Sequence, residues 1–117
     1  DLGHFADTPA GDLPVGLRRR LEIGRALCLE PRLLLLDEPG AGLDARETVE
    51  LARLLAAVRD RFNVTMLVVD HDMALIMRIC NRIYVLDYGQ IIAEGTPEQV
   101  QGDPEVVRAY LGQAAAA

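Results

Sequence analysis

Leu33-Leu34-Leu35-Leu36-Asp37-Glu38-Pro39 decides the fold. Four apolar residues in a row without alternation suit a short strand covered on both faces, and such strands belong to parallel sheets. Two acids and a proline end the run. Downstream, Val64-Thr65-Met66-Leu67-Val68-Val69 repeats the pattern and ends at Asp70-His71-Asp72. A helix lies between them. Asp44 stands at its N-cap with Glu47 three residues later, the pairing of a capping box. Leu51, Leu54, Leu55, Val58 and Phe62 then recur at helical spacing. Strand, helix, strand in that order predicts a right-handed crossover and parallel pairing. The fold class is α/β.

On the N-terminal side, residues 1–16 are rich in Gly, Pro and Asp and predict a loop. Arg18 to Leu29 predicts a helix with an apolar side of Leu21, Ile23, Ala26, Leu27 and Leu29, shut off by Pro31. On the C-terminal side, residues 73–80 predict a short helix. Residues 83–86 and 90–94 predict a β-hairpin around the three-residue loop Asp87-Tyr88-Gly89, with Gly89 as its left-handed residue. Thr96-Pro97-Glu98-Gln99 carries an N-cap, a first-turn Pro and a capping-box Gln. Asp103-Pro104 starts a further helix expected to end at Gly112, and the closing Ala114–Ala117 run is expected to fray. No repeat or linker appears, so residues 1–117 are treated as one portion of a domain.

Composition narrows the function. With 18 acids against 12 bases the net charge is −6, and such a surface repels phosphate backbones, so nucleic acid is not an expected partner. All 12 bases are Arg; the chain has no Lys. Cys28 and Cys80 fit no metal spacing and are expected as buried free thiols in a reducing compartment. Apolar runs stay far short of the ~20 residues that span a membrane. The start of the chain lacks the basic and apolar regions of a secretory signal. A cytosolic location, or one on the cytosolic face of a membrane, follows as the expectation.

Acids at the carboxyl ends of parallel strands stand where open α/β sheets bind ligands. Asp37-Glu38 and Asp70-His71-Asp72 close two such strands and are expected at one sheet edge. A single acid pair after a strand is an ordinary solvated cap. Two pairs with a histidine at one edge favour a site.

The segment LLLLDEP followed by GLD resembles the Walker B and D-loop segment of ABC ATPases, and His71 stands where that family has its switch histidine. Leu13-Pro14-Val15-Gly16-Leu17, running into RRRLEIGRAL, sits where the family carries its signature sequence and helix. RIYVLDYGQIIAEGTPEQV and DPEVVRAYLG resemble the tail of the branched-chain amino acid importer group. The likeness covers nearly the whole chain, in order. It implies a partial P-loop NTPase (ABC ATPase) fold: parallel strands with flanking helices, then a C-terminal β-hairpin plus helices. It also implies roles. Asp37 would help to hold Mg²⁺, Glu38 would act as general base on the attacking water, and His71 would contact the γ-phosphate of ATP. Asp44 would cross a dimer interface. Gly16 and the start of its helix would face the γ-phosphate held by the opposite subunit. The implied partners are a second ABC ATPase subunit (identical or different), transmembrane permease subunits and, indirectly, a solute-binding protein. The implied place is the inner face of the plasma membrane.

Two departures qualify this picture. The family's phosphate loop and Q-loop glutamine are not in this sequence, and that loop needs a Lys to reach the β- and γ-phosphates. The chain is therefore not expected to bind ATP by itself. The signature is also degenerate. Where the family favours Ser, Gly, Gly, Gln, this chain has Pro14, Val15, Gly16 and Leu17, with Arg18 as a candidate replacement donor. Three other readings stay open: a soluble ABC ATPase outside transport, a non-catalytic piece of an ABC ATPase, and a metal-dependent hydrolase on Asp37, Glu38, His71 and Asp72.

Overall fold

A computed structural model describes residues 2–111. Two compact units divide the chain, one up to Leu75 and one from Ile76 onward.

In the first unit two short 3₁₀ turns, Gly3–Phe5 and Ala10–Asp12, precede α1 (Val15–Leu27). The helix starts three residues ahead of the expected Arg18, because Pro14 in an extended conformation leads straight into it. It ends at Leu27 rather than Leu29, and Glu30 then takes a left-handed φ of 49° just before Pro31. Strand β1 (Leu33–Asp37) pairs in parallel with β2 (Thr65–Val69), in the register Leu33↔Thr65 through Asp37↔Val69. Helix α2 (Ala45–Phe62) joins them. Its expected capping box is present: the Glu47 N–H donates to Asp44 Oδ1 at 2.8 Å, and the Asp44 N–H donates to Glu47 Oε2 at 3.0 Å. Thr48, Leu51, Ala52, Leu55 and Val58 form the buried side of α2. Phe62, expected on that stripe, is exposed, because the helix ends there and Asn63 turns left-handed.

The strands are not covered on both faces within this chain. Leu34 is buried, while Leu33, Leu35, Leu67 and Val69 are all more than half exposed, Leu35 at 66 %. The unalternating apolar run reports a demand for cover that these residues do not themselves meet.

Helix α3 (Met73–Ile79) leads into the second unit. There β3 (Ile83–Asp87) and β4 (Gln90–Gly95) form the antiparallel hairpin, with an irregular register after Val85. Its loop has two residues rather than the expected three. Tyr88 and Gly89 both have positive φ, 45° and 77°, the signature of a type I′ turn. Inward Ile83 and Val85 alternate with exposed Tyr84 and Leu86. Helix α4 (Pro97–Gln101) carries the expected capping box between Thr96 and Gln99. Helix α5 (Pro104–Val106) is a single turn capped by Asp103, and the chain widens into a π-type turn over Val107–Leu111. The expected stop at Gly112 and the closing alanines lie outside the described residues. Cys28 is exposed and Cys80 only partly covered, which corrects the expectation of buried thiols. Burial pushes the Cys80 thiol pKa up. Among the described residues no helix is long and apolar enough to cross a membrane.

Candidate functional site at the carboxyl edge of the parallel strands

Parallel pairing of β1 with β2 puts Asp37-Glu38 and Asp70-His71-Asp72 at one edge, as the sequence predicts. The join is close. The Glu38 N–H donates to the Val69 carbonyl at 2.7 Å, which extends the strand ladder by one bond. Glu38 itself has a φ of 46°, a left-handed conformation that disfavours a residue with a Cβ by about 1 kcal/mol. A turn follows at once: the Ala41 N–H donates to the Glu38 carbonyl at 3.1 Å, with Pro39 and Gly40 between them. The twist at Glu38 leaves its carboxylate exposed beside His71, whose Nδ1 lies 3.8 Å from Glu38 Oε1.

Asp70 fastens the two loops. Its side chain is 1 % exposed, and its two oxygens do different work. Oδ2 accepts from the Gly40 N–H at 2.8 Å, and Oδ1 accepts from the Asp72 N–H at 2.9 Å. His71 Nδ1 is 3.7 Å from Oδ1. Gly40 packs tightly: a Cβ there would come within 3.1 Å of Asp70 Oδ2 and 3.2 Å of Leu75 Cδ2, so both would have to give way. Asp72 is used structurally, accepting from the Leu75 N–H at 3.1 Å and from the buried Thr48 hydroxyl at 3.5 Å. In the sequence Asp70 is one more acid at a strand end. The signal for its bracing role was the Asp-x-Asp spacing straight after an apolar strand, where a side chain readily bonds the backbone two residues on.

Asp37 is exposed at the end of β1. Among the described residues no group of three or more His, Cys, Asp or Glu side chains is arranged to hold a metal. A lone carboxylate of this kind suits Mg²⁺, which commonly takes one or two carboxylates and fills its remaining positions with phosphate oxygens and water. It does not suit a metal held by protein ligands alone, and with Asp72 occupied by α3 the metal-dependent hydrolase loses its constellation.

The remaining candidates gather elsewhere in the first unit. Gly16, in the first turn of α1, and Asp44, at the cap of α2, meet through Glu47. A Cβ at Gly16 would lie 3.0 Å from Glu47 Oε1, while Glu47 Oε2 is bound by the Asp44 N–H. A cleft of about 200 Å³ opens beside them, floored by Leu43 and Leu51 and flanked by Arg20 and Glu50, which pair at 3.1 Å. Arg18 is exposed, and its guanidinium has no partner among the described residues. The structure thus brings Glu38 and His71 together, and Gly16 and Asp44 together, while Arg18, two residues beyond Gly16 on α1, makes no side-chain bond to any of the four.

Known proteins resemble this arrangement over most of the chain. A sequence model of a family described as "Branched-chain amino acid ATP-binding cassette transporter" matches residues 90–116. The high-affinity branched-chain amino acid transport ATP-binding protein BraF of Pseudomonas aeruginosa is 48 % identical over 97 % of this chain and 45 % of its own length. The corresponding LivG protein of Escherichia coli K12 is 50 % identical over 97 % of this chain and 44 % of its own length. The crystal structure of MJ1267, an ATP-binding cassette of an ABC transporter in its ADP conformation, superposes with a TM-score of 0.84 at 33 % identity, over 95 % of this chain and 45 % of that one. The chain spans less than half the length of the relatives it matches. It carries part of the fold of an ABC ATPase cassette, and in sequence it is related over nearly its whole length to the C-terminal part of the ATP-binding proteins of branched-chain amino acid ABC transporters.

Proposed function

We propose that these residues supply the hydrolytic edge of an ATP-hydrolysing subunit that powers import of branched-chain amino acids or a related small polar solute. The observation that carries the reading is Glu38. An exposed carboxylate is held in a left-handed backbone conformation, bonded through its N–H to Val69, and set 3.8 Å from His71. Strain of this kind collects at functional sites, where surrounding structure enforces it. Here the Asp70 bond to Gly40, two residues after Glu38, braces the same turn.

In this reading Glu38 takes the proton of the water that attacks the γ-phosphate. His71 donates a hydrogen bond to that phosphate as charge builds on its oxygens. Such reactions rest mainly on positioning and electrostatics. Asp37 would hold Mg²⁺, which neutralises charge on the phosphate oxygens. Gly16 and Asp44 belong to the face that meets a second ATPase subunit, with Arg18 beside it as a free cation. Relatives named as transport ATP-binding proteins support permease subunits as the further partners and a place on the cytoplasmic face of the membrane. The importer tail likeness over residues 90–116 favours this over a soluble ABC ATPase.

The test is Glu38→Gln in the full-length subunit. Loss of a general base costs roughly 10²–10⁴-fold in turnover, with ATP binding retained. His71→Ala should also slow turnover strongly, by more than about tenfold. Undiminished hydrolysis in Glu38→Gln would assign the water to another residue, and a His71→Ala effect below about threefold would leave His71 a structural role only.

A further inference from the structure

The capping box of α2 has an asymmetry. Glu47 Oε2 is bound by the Asp44 N–H at 3.0 Å, and the Glu47 N–H is bound to Asp44 Oδ1 at 2.8 Å, so that half of the side chain serves its own helix. Oε1 has no such duty. It lies against the first turn of α1, where a Cβ on Gly16 would sit 3.0 Å from it and 3.6 Å from Glu47 Cδ. Among the described residues no basic side chain pairs with this half-buried carboxylate; Arg20 pairs with Glu50 and Arg19 with Glu22. The turn that it touches is also unusual. Pro14 stands at the N-cap of α1 and makes no side-chain cap bond, so the first N–H groups of that helix lack the partner a Ser, Thr or Asp would provide. A carboxylate beside the positive end of a helix is electrostatically favoured.

We infer that Glu47 is a positioning residue, a strut that fixes the Asp44 turn and the Gly16 turn relative to each other within one subunit. The inference rests on the proposed function only in assigning both turns to the face that meets the second subunit. One carboxylate touches both, so a shift in either turn moves the other. Gly16 is then glycine because Glu47 needs the space, in addition to any closeness to phosphate. The strut is geometric, since a Gln at position 47 still offers an oxygen to the Asp44 N–H and completes a capping box.

The experiment is a double-mutant cycle in the full-length subunit, using Gly16→Ala, Glu47→Ala and the pair, with Glu47→Gln as the conservative variant. Turnover, ATP binding and thermal midpoint are measured on each protein. Gly16→Ala displaces only the end of a flexible side chain, so it should fold. It is expected to lower kcat about tenfold with Glu47 present, yet less than about threefold further when Glu47 is already Ala. ATP binding by the Glu47→Ala protein should stay unchanged, and Glu47→Gln should stay within about threefold of the parent in turnover, since its amide completes the capping box. Equal losses from Gly16→Ala in both backgrounds would overturn the strut. Coupling seen in thermal midpoint but not in kcat would overturn the positioning role and leave a purely structural contact. Glu38→Gln run alongside reports on the proposed function itself: if that variant hydrolyses ATP normally, the hydrolytic reading fails, and the Gly16–Glu47 coupling is still read from the same four proteins.

Discussion

At Asp70 a single buried carboxylate holds two loops that would otherwise part. Both its oxygens accept backbone N–H groups, from Gly40 and from Asp72, and it is almost wholly screened from water. Removing it strands two part-buried donors. Hydrogen bonds to a charged group contribute roughly 1.5–3 kcal/mol each, so Asp70→Ala should lower stability by about 2–4 kcal/mol after relaxation. Asp70→Asn should lose less, because an amide oxygen still accepts one of the bonds. Denaturant unfolding of the full-length protein measures both; an Asp70→Ala protein as stable as its parent would mean that the bracket does not hold Glu38 in place. The sequence announces the acids at this edge, since carboxylates straight after apolar strands are conspicuous. It conceals which of them is exposed chemistry and which is buried scaffold. Glu38 and Asp70 differ by their backbone and their burial, and neither property is written in residue type.

Elements were legible where a local rule was strong. The capping boxes at Asp44–Glu47 and Thr96–Gln99 were predicted and are both formed, because each needs only two side chains three residues apart. Parallel pairing followed from strand-helix-strand order. The start of α1 is hidden in the sequence because Pro14 serves as its cap without a side-chain bond, so the usual polar marker is missing. The two-residue hairpin loop is hidden because Tyr88 occupies a left-handed position that Asn or Gly usually fills. That misfit yields a prediction. Tyr88 is fully exposed and its ring has no packing to lose. Tyr88→Asn should therefore stabilise the protein by about 0.5–1 kcal/mol through relief of the positive φ. A raised thermal midpoint is the expected outcome; a lowered one would show that the tyrosine ring makes a contact in solution that outweighs the strain.

On the scale of the whole molecule, the apolar strands and the acidic edge point in one direction. Leu33, Leu35, Leu67 and Val69 present a bare face, so a two-stranded sheet carries sequence suited to a larger one. The edge that would meet a triphosphate offers Asp37 and Glu38 exposed, with Asp70 and Asp72 in the same loops, and among the described residues no Arg is paired with any of them. Four carboxylates and no lysine repel phosphate. The family's grip on phosphate needs a glycine-rich loop with a Lys that reaches the β- and γ-oxygens, and these 117 residues contain no Lys at all. Arg18 is free to attract an anion, yet it touches neither Glu38 nor His71. The 117-residue chain should accordingly show no heat of binding when titrated with Mg-ATP at micromolar concentrations. A dissociation constant near 10 μM, about −7 kcal/mol, would require several well-placed charge-assisted hydrogen bonds. If calorimetry finds one, the phosphates are held by groups within this chain, with Arg18 and the start of α1 the first to examine. Arg18→Ala then decides between them, since loss of the signal would place the grip on the guanidinium and its survival would leave the helix end.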